Sequence, residues 1–214
     1  MEKIVIVGAG GFGREVKMLI DQLNSKENVY EFEGYYDDAF EIGTTINSNE
    51  VLGSILDLAN TTEKLNVVVA IGAPDIKRKI IEKLSNPNLR FPTLIDPSVL
   101  IGTEFVSIGK GCIICAGTII TCNIEIKDFV ILNLMCTVGH DTTIHSYSSF
   151  MPSVNISGEV VIHEGVYVGT GAKIINQLEI GEQTIIGAGA VVSKTLPEKC
   201  TAVGIPAKPI KFHS

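Results

Sequence analysis

Every sixth residue from 108 to 192 is apolar without exception: Ile108, Ile114, Ile120, Ile126, Leu132, Val138, Ile144, Phe150, Ile156, Ile162, Val168, Ile174, Ile180, Ile186 and Val192. In a chain that is 45% hydrophobic, fifteen apolar residues in one phase arise by chance with a likelihood on the order of 10⁻⁵. A helix presents one face every 3.6 residues and a strand every two, so neither explains a period of six. A hexapeptide β-helix does. Six residues make a short parallel strand and a turn, three such units close one triangular coil, and the periodic aliphatics stack inside it. The position four after each aliphatic agrees with this register, because a crowded corner favours the small Cys112, Thr118, Cys136, Thr142, Ser148, Ala172, Thr184 and Ala190 found there. Directly after the aliphatic stand Gly109, Gly139, Gly169, Gly181 and Gly187. A tight turn at positive φ is the expected reason for them.

The earlier part of the chain has a different pattern. Residues 4–7 are an apolar run, Gly8-Ala9-Gly10-Gly11-Phe12-Gly13 supplies G-x-G-x-x-G, and Val16, Leu19, Ile20 and Leu23 follow at helical spacing. This is strand, glycine turn, helix. Glycines there let the backbone approach a phosphate, and the helix N-terminus offers unpaired N–H groups to an anion. The alternative is that they only pack helix against strand. A second run, residues 30–36, ends in Asp37-Asp38, where a dinucleotide fold places its ribose-binding acid. A third strand is expected over 67–71, closed by Gly72, with a helix over 75–84. Three or four strands in about 90 residues make half of a doubly wound sheet, which suits a nucleotide-linked substrate better than a nicotinamide cofactor. The boundary is expected near Leu89, before Pro92, Pro97 and the first hexads at Ile95 and Ile101. After Val192 the prolines of Leu196-Pro197 and of residues 204–209 leave the repeat. That tail is expected to fold back along the coil as the cap a solenoid end needs.

A net charge of −7 and a pI near 5.1 argue against a nucleic-acid binder, which clusters Lys and Arg. No run reaches the ~18 apolar residues of a membrane span and no charged-then-apolar leader opens the sequence, so a cytoplasmic protein is expected. Five cysteines are an odd number, expected as reduced thiols; Cys112 and Cys115 form a C-x-x-C with no second pair, so no metal is expected. Of four histidines, His145 and His163 are 18 residues apart at one repeat position and should stack on neighbouring coils, while His213 lies in the tail. His140 differs, standing two residues past Val138 on an outward turn beside Asp141. A neutral imidazole backed by a carboxylate is suited to taking a proton from an incoming amine or hydroxyl.

With IVIVGAGGFGREV at its start, GYYDD, VLGSILDL and AIGAPDIKRK following, GHD in the repeat and AVGIPAKPI at its end, the chain resembles the bacterial sugar acyltransferases of the PglD and NeuD type over nearly its whole length. The resemblance implies a Rossmann-like nucleotide-sugar-binding domain over 1–89 and a left-handed parallel β-helix with a C-terminal cap over 90–214. It also implies acetyl-CoA as donor, a homotrimer with active sites between neighbouring coils, and a nucleotide-activated amino sugar or a sialic acid as acceptor. Carried over by position, the general base falls on His140 and its supporting acid on Asp141. Acceptor contacts fall on Gly10, Gly11, Phe12, Asp37, Asp38 and Gly72, and acetyl-CoA contacts on Ser149, Gly158, Thr170 and Ala188. Two positions depart from relatives that carry histidine there: Phe12 in the glycine turn, and Ser149 nine residues after the base. The reading is an acetyl-CoA-dependent N-acetyltransferase of a nucleotide-linked amino sugar. The alternatives are an O-acetyltransferase of sialic acid and a non-catalytic trimer that binds nucleotide sugars.

Overall fold

A computed structural model describes residues 1–213. They form two compact units, the first spanning Met1–Leu94 and the second beginning at Ile95. In the first unit the order is β1 (Glu2–Val7), α1 (Gly11–Lys26), β2 (Tyr30–Tyr36), β3 (Thr45–Ile46), β4 (Asn49–Gly53), α2 (Ile55–Ala59), β5 (Leu65–Val69), α3 (Pro74–Lys83) and β6 (Leu89–Arg90). The sheet order is β3-β4-β2-β1-β5-β6, parallel except for the short β3–β4 hairpin. Strands β1 and β5 read as unbroken apolar runs because both their faces are covered. Val5, Val7, Val67 and Val69 pack with Ile55, Leu58 and Leu84 on one side, while Val16, Leu19 and Ile20 are the buried face of α1. From β1 the chain moves first to β2 on one side and later to β5 on the other. That reversal is the topological switch point, outside whose carboxyl ends open α/β sheets bind ligands. The expected third strand lies at β5 and ends two residues early, at Val69. Strand β6 still pairs with β5 through Leu65 and Leu89, so the sheet runs past residue 89 and the units divide after Leu94.

The second unit is the left-handed parallel β-helix. Each two-residue strand pairs with the strand 18 residues on, in three separate sheets. One sheet stacks Ile114, Leu132, Phe150, Val168 and Ile186 inward, the second Ile120, Val138, Ile156, Ile174 and Val192, and the third Ile108, Ile126, Ile144, Ile162 and Ile180. All but Ile108 are at most 3% exposed, and Ile108 packs partly buried against them. Fully burying one such side chain contributes ~1.5–3 kcal/mol, so this column is the main source of the unit's stability.

The corner residues do more than fit. Thr118, Thr142, Ser148 and Thr184 are fully buried, and each hydroxyl donates to a carbonyl on the chain ahead, at Asn133, Ser157, His163 and Pro197 respectively. A buried hydroxyl without such a partner would cost about 1–3 kcal/mol. Cys136 donates in the same way to Met151, and burial pushes its thiol up to about 12, so it serves as packing. None of the five cysteines is joined in a disulfide.

The expected reason for the turn glycines is corrected by the backbone. Positive φ falls two residues later, at Gly111, Gly117, Asn123, Phe129, Met135, Asp141 and their successors every six residues to Gly189. What Gly109, Gly139, Gly169, Gly181 and Gly187 supply is room. A Cβ on Gly139 would sit 2.6 Å from the Ser157 carbonyl carbon, and one on Gly169 2.5 Å from the Ala188 nitrogen. The tail also differs from expectation. Cys200–Gly204 extends one coil sheet in parallel beyond Ile185–Ile186, and Ala207–Phe212 returns antiparallel to it. It closes the end of that sheet as a hairpin, with Pro209 on the outermost strand, where a missing N–H is tolerated.

Candidate active site

His140 sits at the corner that follows Thr137–Val138, and two neighbours meet its ring. Its Nδ1 lies 2.7 Å from Asp141 Oδ2. On the coil ahead is Gly158, where a Cβ would come within 2.5 Å of the imidazole Cε1 and Nε2; only glycine leaves space for the ring. On the coil behind, Asn123 Nδ2 donates to Asp141 Oδ1 at 2.9 Å. Asp141 adopts φ 57°, a left-handed conformation that Asp and Asn tolerate better than most residues, and this turn brings its carboxylate back to its neighbour's ring. The hydrogen bond from His140, and then that from Asn123, hold the Asp141 carboxyl below the usual carboxylate range. An ionised carboxylate only accepts, so Nδ1 carries the proton and Nε2 presents a lone pair. Nε2 has no protein partner among the described residues. The side chains of His140 and Asp141 are 56% and 49% exposed, and an ion pair so open to water adds little to folding. The arrangement can accept a proton from a molecule in solvent.

The residues expected to contact acetyl-CoA do not all gather there. Gly158 does, as the floor under the imidazole. Thr170 and Ala188 stack on each other at a different corner, after the strands Tyr167–Val168 and Ile185–Ile186, with Gly189 N–H bonded to the Thr170 carbonyl. Ser149 is fully buried in a strand. Within one chain His140 and the Thr170–Ala188 corner are therefore separate. His145 and His163 stack as expected, ring centroids 5.5 Å apart and 9° from parallel, after the strands of the third sheet and away from His140. Among the described residues no group of three His, Cys, Asp or Glu is placed to hold a metal.

In the first unit the glycine turn divides by role. Gly8 adopts φ 101°, and a Cβ on Gly13 would sit 1.8 Å from the Gly8 carbonyl oxygen, so these two let α1 pack on β1. A Cβ on Gly10 would meet nothing, and one on Gly11 only Arg14 Nη2 at 3.9 Å. Helix α1 has no side-chain cap and no acid in its first turn, which leaves its N-terminal amides and partial positive charge open to an anion. Phe12 is half-buried beside them, and Gly72 lies in the β5–α3 loop, across the switch point. Asp37 accepts from the amides of Ala9 and Ala39, both at 2.8 Å, so its first task is to tie the end of β2 to the glycine turn. Asp38 Oδ1 accepts from Ile55 N–H at 2.8 Å. Asp38 also lines a cleft of about 580 Å³ with Ile55, Leu56 and Asn60 of the short helix α2 and its C-cap, which gave no periodic signal, and with Lys83 at the end of α3. Asn123 was missed as well. Its signal was positional: it stands 18 residues before Asp141, at the same place in the repeat.

Comparison with known proteins finds a match within each unit. Residues 3–84 match the model described as the PglD N-terminal domain, and residues 159–194 match that of the bacterial transferase hexapeptide, six repeats. GDP-perosamine N-acetyltransferase of Escherichia coli is 32% identical over 212 residues, covering 96% of this chain and 95% of that protein. The acetyltransferase domain of PglB from Neisseria gonorrhoeae, solved with acetyl coenzyme A, is 31% identical with a TM-score of 0.88, covering 98% of this chain and 99% of that one. PerB from Caulobacter crescentus, solved with CoA and GDP-perosamine, is 29% identical with a TM-score of 0.87, covering 99% and 98% of the two chains.

Proposed function

The chain belongs to the bacterial sugar acetyltransferases of the PglD and NeuD type, and from that membership we propose the reaction it runs. The acetyl group of acetyl-CoA passes to the exocyclic amine of a nucleotide-linked amino sugar. The observation that carries this reading is the His140–Asp141 pair, whose Nε2 has no hydrogen-bond partner among the described residues. An amine that arrives as ammonium gives one proton to solvent to become the nucleophile, and the nitrogen must lose a second as it attacks the thioester carbonyl. His140 Nε2 takes that second proton. The amine nitrogen bonds to the carbonyl carbon, the tetrahedral intermediate collapses with loss of the C–S bond, and the departing thiolate recovers the proton from the imidazolium. Asp141 supports the charged imidazole throughout. In the first unit, the open N-terminus of α1 with Gly10, Gly11 and Phe12 receives the diphosphate, and the cleft at Asp38 receives the nucleoside; a volume of about 580 Å³ falls within the usual range for ligand sites.

The working form is a cytoplasmic homotrimer. Two features support the assembly: the separation of the His140 corner from the Thr170–Ala188 corner, and the exposed Leu100 and Ile119 paired on adjacent strands of the second sheet. A neighbouring copy would cover the second and complete the first. The deciding experiment measures acetyl-CoA consumption against GDP-, UDP- and dTDP-linked amino sugars and free sialic acids. Turnover is expected with an amino sugar nucleotide, and turnover with sialic acid alone would overturn the reading. In the same assay His140→Ala should lower kcat by about 10²–10⁴-fold with substrate affinity nearly unchanged. His145→Ala and His163→Ala, which have no proton to move, should match the unmodified enzyme.

A further inference from the structure

We propose that Asn123 is a positioning residue for the reaction, fixing the base through Asp141; the inference rests on His140 being that base. Asn123 and Asp141 occupy the same turn position on successive coils, both in the left-handed region at φ 54° and 57°. The Asp141 amide bonds to the carbonyl of Cys122, which joins the two turns. Their side chains therefore rise from parallel, rigid platforms, and the Asn123 amide reaches Asp141 Oδ1 at 2.9 Å while Oδ2 faces His140. Asp141 is half exposed, and without a second anchor its carboxylate could rotate in water and release the ring. Asn123 supplies that anchor without a charge of its own.

The next turn along the column shows why neutrality matters. Glu159 follows Asp141, its amide bonded to the His140 carbonyl, so two carboxylates already stand on successive coils. Each has a neutral amide on its far side: Asn123 for Asp141, and Gln177 for Glu159, whose Nε2 lies 3.2 and 3.3 Å from the two Glu159 oxygens. The four side chains form an amide–acid–acid–amide ladder. In it the acid beside the base is locked from behind, and its free oxygen is directed at Nδ1.

The test uses two Asn123 variants in two backgrounds. Asn123→Gly removes the amide and keeps a residue at ease with positive φ. Asn123→Asp keeps the shape but replaces the donor with an acceptor. Both should lower kcat about three- to tenfold, the range an exposed hydrogen bond to a charged group supports, with KM for either substrate and the melting temperature unchanged. In an Asp141→Asn background, which keeps the His140 base and should retain part of the activity, Asn123→Gly should have no further effect, because Asn123 acts only through the carboxylate. Equal losses in both backgrounds, a rise in KM in place of the fall in kcat, or full activity of both single variants would overturn the proposal. Full activity of His140→Ala would instead overturn the reading beneath it.

Discussion

At Asp141 one hydrogen-bond set has a consequence that pH can read. The bonds from His140 and Asn123 keep its carboxyl below the ordinary value in the folded protein. A carboxyl depressed on folding contributes stability that is present above its unfolded value and lost as pH falls through the folded one. Its contribution to folding therefore disappears only below about pH 4. Between about pH 7 and pH 5 the near-ultraviolet circular dichroism and the denaturant midpoint should stay constant as far as Asp141 decides them, and Asp141→Ala should narrow the gap in stability between pH 7 and pH 3. An unchanged gap in that variant would show that the carboxylate contributes nothing to the acid stability of the fold.

At the scale of the coil, two glycines one turn apart separate catalysis from stability. A Cβ at Gly139 would collide with backbone, at 2.6 Å from Ser157 C and 2.7 Å from Gly158 N; the rungs themselves would have to move. A Cβ at Gly158 would collide with the His140 ring, an exposed side chain that can swing into water. Gly139→Ala should therefore lower stability by about 2 kcal/mol or more, read as an earlier denaturant midpoint. Gly158→Ala should leave the midpoint in place and reduce kcat at least about tenfold, because the displaced imidazole leaves Asp141. Equal denaturation midpoints for the two variants would contradict this division. The same pair shows where the sequence was legible. A six-residue phase located the inward aliphatic of every strand from 108 to 192 and the small corners, since those follow from one repeating geometry; it passed over Ile124, Val130, Val154, Val160 and Val166, which fill the same corner position in the core. It could not tell a glycine required for φ from one required for space, because that depends on the neighbouring coil and on which atoms face it. Gly158 was assigned to acetyl-CoA by resemblance, and its contact with His140 became visible only once residues 18 apart stood one above the other. Helix α2 and the β3–β4 hairpin were illegible for another reason: five residues and two are too few to display a period.

For the assembled molecule, the separation of two corners has a consequence that activity measurements can read. His140 follows one sheet, Thr170 and Ala188 follow another, and a single coil cannot bend to bring them together, because its rungs are fixed by parallel ladders on all three sides. If acetyl-CoA lies against the Thr170–Ala188 corner, the base that serves it comes from a neighbouring copy, as cyclic assembly through a heterologous contact allows. Complementation follows from that geometry. One variant, His140→Ala, keeps the donor corner and loses the base. Another, Ala188→Trp, keeps the base and fills the exposed donor corner with an indole. Each alone should be nearly inactive. Co-expressed in equal amounts and mixed at random in trimers, a site works when its base comes from the second variant and its donor corner from the first, which happens for about a quarter of sites. Purified mixed protein should therefore recover about a quarter of the unmodified rate, with light scattering reporting three chains per particle. Mixing that restores nothing, in trimers shown by mass spectrometry to contain both chains, would place the whole site within one chain.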